Sequence, residues 1–190
     1  MAIASDTIWE VQTSGLNTNG GGFAASYQGV SGVDYSQWHR PYKAPTTLAG
    51  FGTTTLVCSS PDTFDPTVLG NIIFINGQGR YVIQAYINST GLTLDRSLGT
   101  FSSTSGSIGG AVALPSNISA VTVVNNFVWI KSGVYQLTGV AINVGNNRGF
   151  SGYGVQRNDE GMAWLEASGM NAGVQTLNMS DHSTCRNLII

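Results

Sequence analysis

Six short apolar runs follow one another between Asn125 and Ile190: FVWI at 127–130, VAI at 140–142, Phe150, AWL at 163–165, VQTL at 174–177 and LII at 188–190. Turns rich in Gly and Asn separate the runs, and each run is long enough for one strand and too short for a helix. Equivalent positions recur at spacings of 22 (Val128 to Phe150), 24 (Phe150 to Val174), 23 (Ile142 to Leu165) and 24 residues (Leu165 to Ile189). This period predicts the stacked coils of a β-solenoid, which has a long lateral surface and an end that needs a cap.

The composition indicates a folded, β-rich chain with a neutral polar surface. Of the 190 residues, 42% are hydrophobic and only 9% are charged, against roughly 25% charged in ordinary soluble domains. Disordered chains combine low hydrophobicity with high charge, so this chain is not of that class. A surface with few charges suits a protein whose neighbours in an assembly cover much of it.

The charge pattern excludes a nucleic-acid partner of the usual basic kind. The net charge is −2, the only lysines are Lys43 and Lys131, and the arginines are scattered. Phosphate binding favours a clustered basic face. The N-terminus lacks the pattern of a signal peptide, and no apolar run approaches the ~18 residues of a membrane-spanning helix. We therefore expect no membrane insertion, and reduced thiols at Cys58 and Cys185.

Residues 1–45 are predicted to form an N-terminal arm rich in aromatic residues. One strand-like run, Thr7 to Gln12, is followed by a Gly- and Asn-rich loop and by irregular sequence. Aromatic side chains on irregular backbone dock either onto a partner or onto the body of their own chain. The candidate docking or subunit-contact residues are Trp9, Phe23, Tyr35, Trp38 and Tyr42.

Residues 46–108 are predicted to form a small β meander or barrel-like domain. Its strand candidates are 54–58, 72–75, 80–87 and 92–95, and the Asn76-Gly77 pair favours a tight hairpin between the second and third. Thr100 to Gly110 is rich in Ser and Gly and is typical of a linker or an exposed loop.

Residues 109–190 are predicted to form the capped start of the solenoid. Ala111 to Leu114 could begin a short helix, but Pro115 interrupts it, so a short helical or irregular cap is expected over the first coil. The chain ends on three apolar residues, each worth roughly 1.5–3 kcal/mol when fully buried. Either this end docks against a partner or the natural chain continues into another coil, and we favour the second.

Two stretches resemble a known fold family. Phe127 to Tyr135 resembles the entry into a right-handed parallel β-helix of the pectate-lyase-like kind, and Phe150 to Gly154 with Arg157-Asn158-Asp159 resembles the turn one coil later. The opening, 7–11 with 17–23, and the segment 92–97 resemble tailed-bacteriophage virion proteins. The patches cover about two thirds of the chain.

The resemblance implies an all-β protein with an N-terminal β-rich anchoring domain followed by the first coils of a right-handed parallel β-helix. It further implies a homotrimer in the virion, with other virion proteins as partners and a host-surface glycan as a further partner through a C-terminal region. It does not imply catalysis, because a fold alone does not assign chemistry, and no cofactor is expected.

Candidate catalytic residues were weighed against structural roles. Glycan hydrolysis needs two carboxylates across a groove, and the available acids are Asp159, Glu160 and Glu166, which are interpreted as solvated turn acids. Lyase chemistry would need a basic residue, and Lys131 and Arg157 are the only basic candidates near the predicted coils. Neighbouring residues cannot form a triad, so Asp181-His182-Ser183 is interpreted as a polar turn.

The remaining candidates are also interpreted as structural. His39 lies among aromatic residues, no spacing fits a metal site, and Gly20-Gly21-Gly22 lacks the rest of a phosphate loop. Asn143, Asn146 and Asn147 are predicted to support tight turns or to stack as ladders within the solenoid, because asparagine tolerates left-handed backbone.

Three function classes follow. The first is a non-enzymatic virion protein (fibre, spike or capsid decoration) whose first ~110 residues attach to the particle. The alternative is a tailspike depolymerase whose catalytic part lies beyond residue 190 or between subunits. A bacterial surface or carbohydrate-binding module is a third and weaker hypothesis, since no signal peptide is seen.

Overall fold

The computed structural model describes residues 3–27, 33–119, 122–123, 125–137, 142–166 and 177–190. Over these residues the fold is all-β, built from one antiparallel sheet and three smaller sheets with parallel strands. The one α-helix among them, α1, is Pro115–Ser119, and two short 3-10 turns lie at Ala25–Tyr27 and Pro66–Val68.

The antiparallel sheet has seven strands, ordered β8-β3-β4-β7-β6-β5-β9. They are β3 (Leu48–Phe51), β4 (Thr55–Val57), β5 (Ile72–Ile75), β6 (Gly79–Asn88), β7 (Gly91–Leu94), β8 (Thr100–Thr104) and β9 (Gly106–Ile108). Only Ser105 separates β8 from β9, although these strands lie at opposite edges of the sheet. The sheet must therefore curl until its edges approach, which makes it a half-barrel.

Several predictions about this sheet are confirmed and one is wrong. The four strand candidates correspond to β4, β5, β6 and β7, and the Asn76-Gly77 turn joins β5 to β6, whose pairing closes at Ile75 and Gly79. The segment Thr100 to Gly110 is not a linker, because β8 pairs with β3 and β9 pairs with β5. Its Ser and Gly residues fit edge strands, which need little apolar surface.

The first of the parallel sheets contains strands from both the N-terminal and the C-terminal parts of the described chain. Its order is β16-β13-β10-β1-β2, with β1 (Thr7–Val11), β2 (Gly22–Ala24), β10 (Phe127–Lys131), β13 (Gly149–Tyr153) and β16 (Thr184–Arg186). All neighbouring pairs are parallel except β1 with β2. The strand predicted in the N-terminal arm is thus confirmed, and it lies beside β10.

Two further parallel sheets complete the stack. One contains β11 (Gly133–Gln136), β14 (Ala163–Glu166) and β17 (Leu188–Ile189), and the other contains β12 (Ile142–Val144) and β15 (Leu177–Met179). Consecutive strands therefore visit the three sheets in turn: β10, β11 and β12, then β13, β14 and β15, then β16 and β17.

The predicted spacing is confirmed at one step and wrong at the others. Val128 pairs with Phe150, 22 residues later as predicted, but Phe150 pairs with Cys185 and Ile142 pairs with Leu177, each 35 residues later. Ile142 and Leu165 lie in different sheets, and Ile189 pairs with Trp164. The longer steps include the loop 154–162 between β13 and β14. Val174 lies outside the described residues.

One hydrophobic core fills the space between the parallel sheets. Outward and inward side chains alternate along β10, where Val128 and Ile130 are buried. The cluster also contains Trp9, Phe150 and Leu165, together with Ile118 of α1. A short helix is therefore present in the segment where one was predicted, but Pro115 begins α1 instead of interrupting a helix, because the first helical position needs no N–H donor.

A second core lies inside the half-barrel, and β5 and β6 separate the two. Ile72 and Val82 belong to the core of the parallel stack, whereas Ile73 and Ile83 belong to the core of the half-barrel. Burial on both faces explains why β5 is a continuous apolar run instead of an alternating one. The half-barrel and the stack are consequently packed against a shared pair of strands.

Candidate functional site

A buried ionic network ties the N-terminal arm to the parallel stack. Glu10 lies on β1 with no exposed surface, and Arg157 lies in the loop after β13. The Arg157 guanidinium donates to Glu10 Oε2 from Nη2 at 3.0 Å and from Nε at 3.2 Å, and to Asp34 Oδ2 from Nη1 at 2.8 Å. One cation therefore joins carboxylates from two separate parts of the arm.

Neutral groups complete the network. The Tyr153 hydroxyl donates to Glu10 Oε1, and Gln12 Nε2 donates to the Tyr153 hydroxyl at 3.3 Å and to the carbonyl of Gln37 at 2.6 Å. Arg157 Nη2 also donates to Ser36 Oγ at 2.9 Å. Most of these contacts join the N-terminal arm to Tyr153 or Arg157, and the Gln12–Gln37 hydrogen bond joins two parts of the arm. We call this network of Glu10, Gln12, Asp34, Ser36, Gln37, Tyr153 and Arg157 the Glu10 clamp.

Electrostatics at the Glu10 clamp are dominated by burial. Removal from water raises the pKa of Glu10 to about 7, while Arg157 and the Tyr153 hydrogen bond lower it and Asp34 raises it slightly. Burial also raises the pKa of Tyr153, and the neighbouring Glu10 carboxylate adds to the effect. The pKa of Glu10 therefore lies near neutral pH, well above the usual range of a glutamate.

The aromatic residues of the arm pack largely on the body of their own chain. The rings of Tyr35 and Tyr42 are stacked with centroids 3.9 Å apart, and Trp38 lies edge-on to both. The Tyr35 and Tyr42 hydroxyls donate to Thr67 Oγ1 and Asp65 Oδ2, each at 3.2 Å. The arm thus docks beside the 3-10 turn at Pro66–Val68.

The five candidate contact residues differ in what they can offer to another molecule. Trp9 and Phe23 have no exposed surface and Tyr35 is buried, whereas Tyr42 is half-buried and Trp38 is 47% exposed. The Trp9 indole N–H donates to Asn126 Oδ1 at 2.9 Å inside the stack. Of these five side chains, only Trp38 and part of Tyr42 are therefore accessible to another molecule.

The acids weighed for catalysis are dispersed. Asp159 is exposed and accepts hydrogen bonds from the backbone N–H groups of 154, 155, 156 and 161, which lower its pKa. This carboxylate shapes its own loop, as predicted for a turn acid. Glu160 is exposed in the same loop, and Glu166 accepts a hydrogen bond from Gln136 Nε2 on the second parallel sheet.

The polar candidates lie in turns or on the surface. Asp181 and His182 form an exposed turn closed by Ser183, whose hydroxyl donates to the carbonyl of Ser180 at 2.6 Å, so the predicted polar turn is confirmed. His39 is exposed. Cys58 and Cys185 are free thiols, and burial raises the pKa of both.

The asparagine predictions are confirmed in part. Asn178 Nδ2 donates to Asn143 Oδ1 at 2.9 Å across β12 and β15, which makes a short ladder. Asn143 is exposed, however, so this ladder lies outside the core. Asn147 has φ of 53°, which is the left-handed backbone expected of asparagine in a turn.

Sequence reasoning missed the Glu10 clamp. The sequence marks Arg157 as a lyase candidate and as part of a turn that resembles a β-helix coil, and it predicts no role for Glu10 or Asp34. A signal did exist, since Glu10 is a lone charge inside the apolar strand 7–11, and a buried carboxylate needs a cation or hydrogen-bond donors. The sequence does not identify the partner of Glu10, because Arg157 lies 147 residues later. The two side chains come together only when β1, β10 and β13 pair side by side.

Among the described residues, no group of three or more His, Cys, Asp and Glu side chains is arranged to hold a metal ion. The part of the chain that the structure describes likewise contains no helix long and apolar enough to cross a membrane. No protein-family model, curated protein or solved structure matches the chain.

The raised pKa of Glu10 predicts a specific pH dependence of stability. The unfolded chain loses this proton near pH 4.5 and the folded chain near pH 7. Between these values the folded state holds more protons, so the free energy of unfolding falls as pH rises and levels off above about 7. At 1.36 kcal/mol per pKa unit, the fall attributable to Glu10 is about 3 kcal/mol.

Urea unfolding near pH 5 and near pH 8 measures this fall in the wild type and in Glu10→Gln. Titration of all other groups is common to the two proteins, so their difference isolates Glu10. We expect the wild type to lose more stability than the variant over this range. Equal losses in the two proteins would show that Glu10 does not hold its proton in the folded state.

Proposed function

We propose that this chain is a non-enzymatic structural protein of a tailed-bacteriophage particle, of the fibre, spike or capsid-decorating type, and that it attaches to the particle through its N-terminal region. The observation that carries the proposal is the fusion of an antiparallel half-barrel to a stack of parallel strands through β5 and β6 and the Glu10 clamp. Such a joint transmits load between an attachment unit and an elongated one, which is what a virion appendage requires.

We further propose that the three parallel sheets are the three faces of a right-handed parallel β-helix capped by α1, in which each coil contributes one strand to each sheet. The cyclic order in which strands visit the sheets supports this, as does the in-register stacking of Val128 on Phe150. The right hand follows from the general preference of parallel crossover connections. The resemblance of Phe127 to Tyr135 and of Phe150 to Asp159 to β-helix coils is independent support.

A homotrimer is the proposed assembly. Val134, Trp164 and Ile189 are aligned in register across β11, β14 and β17, and they are 52%, 52% and 39% exposed. Contiguous apolar surface of this kind marks interaction sites. The row runs along the stacking direction, so copies related by a rotation axis parallel to the stack bring their rows together. Other virion proteins are the proposed partners of the half-barrel and arm.

The oligomer proposal predicts the effect of Trp164→Gln. Sedimentation at several concentrations should find the wild type as a trimer, and the variant should need at least about tenfold more protein to associate, as expected for losing one buried aromatic contact per subunit. Phe51→Gln is the matched control, because Phe51 is 63% exposed on β3, away from the row. A wild-type monomer, or association unchanged in Trp164→Gln, contradicts the proposed interface.

The location of the protein tests the function directly. An antibody against residues 1–110 is applied to purified phage particles from cultures that produce the protein, and the label is counted by electron microscopy. The proposal expects label at fixed sites on intact particles. Label that stays with cell debris while particles remain bare would overturn it.

A further inference from the structure

An open groove runs along the outer face of the first parallel sheet, over β13. Two adjoining depressions of about 380 and 340 Å3 form it, and both are lined by Phe127 and Arg186. Two of the outward residues of β13, Gly149 and Ser151, are small, while their register partners on β10 are Phe127 and Trp129. The groove is therefore a trough with an aromatic wall on one side and β16 on the other.

The aromatic wall is continuous. The rings of Phe127 and Trp129 lie 4.7 Å apart, and Trp129 is edge-on to Tyr153 at 6.4 Å. Phe127 leans over Gly149, where an added Cβ would lie 2.3 Å from the ring. A side chain at position 149 would therefore displace Phe127 and obstruct the trough.

A rigid loop closes one end of the trough. The Asp159 carboxylate accepts hydrogen bonds of 2.5–3.1 Å from the backbone N–H groups of Gly154, Val155, Gln156 and Gly161. The flanking residues Asn158 and Glu160 have φ of 70° and 60°, and both line the trough. Left-handed backbone at a glutamate is uncommon and costs free energy, and such conformations concentrate where a site is held ready for a ligand.

The other end is cationic. Three turns stack there, with left-handed residues Asn125, Asn147 and His182 each two positions before β10, β13 and β16. The backbone N–H of Asn125 donates to the carbonyl of Asn147 at 2.8 Å, and that of Asn147 donates to the carbonyl of Asp181 at 3.2 Å. Arg148 lines this end, and Arg186 stands where the two depressions meet.

The backbone of the trough is not available for recognition. β13 is hydrogen-bonded to β10 on one side and to β16 on the other, so a peptide cannot add to it as a strand. A ligand must therefore contact side chains. The side chains that line the trough offer aromatic ring faces, the amides of Asn158 and Asn187, the Glu160 carboxylate and the guanidinium groups of arginines. Single-stranded nucleic acid fits poorly, because the chain carries 8 basic against 10 acidic residues.

We propose that this trough binds an acidic oligosaccharide, with a sugar ring stacked on Trp129 and a carboxylate of the sugar paired with Arg186. A pyranose presents an apolar face of C–H bonds to the negative face of an aromatic ring, and its hydroxyls pair with amides and carboxylates. Arginine pairs with carboxylates in two-pronged geometry, which sets the preference for an acidic sugar. The trough spans the five residues of β13, about 16 Å at strand rise, so it takes several sugar units.

This inference deepens the proposed function, because an appendage that meets a cell surface needs a receptor site, yet its test is separate. The full chain is titrated by calorimetry with short oligogalacturonate, oligoalginate and oligosialic acid, and with methyl-esterified oligogalacturonate as the neutral counterpart. We expect at least one acidic oligosaccharide to bind, with its neutral form about tenfold weaker.

Three variants locate the site. Trp129→Ala should weaken binding about tenfold or more, and Arg186→Gln should remove the preference for the acidic form. Phe51→Gln, which alters an exposed aromatic residue on β3 of the half-barrel, should bind as the wild type does. Because Arg186 is exposed, its substitution tests the site even where Trp129→Ala perturbs folding.

Two results would overturn the inference: no binding of any of the three acidic oligosaccharides, or wild-type affinity in both Trp129→Ala and Arg186→Gln. Either result leaves the antibody labelling of particles unaffected. Conversely, the particles could carry no antibody label while the protein still binds the oligosaccharide. That result would contradict the virion function and support the glycan site.

Discussion

The pairing of β1 with β10 is the contact on which the rest of the molecule depends. It lays Ile8 to Val11 beside Phe127 to Ile130 and makes the N-terminal strand the first layer of the parallel stack. Trp9 then enters the common core with Val128 and Phe150, while Glu10 is carried to the opposite face of the sheet and loses its water. Burial of that carboxylate is costly unless donors surround it, and Tyr153 of β13 and Arg157 in the loop after it supply them.

This arrangement couples the arm, the half-barrel and the stack. Arg157 also holds Asp34 and Ser36, which fixes the segment whose aromatic residues Tyr35 and Tyr42 pack near Pro66. Replacing a buried ion pair by apolar groups is often neutral for stability, so the benefit of the Glu10 clamp lies elsewhere. Our hypothesis is that it selects a single docking of the arm, which an appendage needs if it is to point in one direction.

Local features of the fold were accessible from the sequence, and long-range pairings were not. Short apolar runs and the Asn76-Gly77 turn identified most strands, because alternation and turn chemistry are local properties. The repeat held for Val128 and Phe150 and failed beyond them, where register partners are 35 residues apart. The loop 154–162 lies within these longer steps, and no strand pattern reveals its length. Thr100 to Gly110 was misinterpreted because edge strands can be polar, so composition alone does not distinguish them from linkers.

The site was harder to predict than the fold. The sequence identifies the aromatic residues of the arm as candidate contact residues, but it does not say which of them face inward, and Trp9 and Phe23 are fully buried. The outer trough was invisible, because it arises from small residues on β13 lying between β10 and β16, and neighbours in a stack are far apart in the chain.

Interstrand NMR contacts test the central pairing most directly. In a spectrum of the full chain, protons of Trp9 should show nuclear Overhauser effects to Val128 and those of Ile8 to Phe127, in the parallel register, and the amides of β1 that donate within the stack should exchange slowly with solvent. Fast exchange along 7–11, or contacts that place β1 beside another strand or in another register, would contradict the pairing and with it the clamp, the docked arm and the shared core.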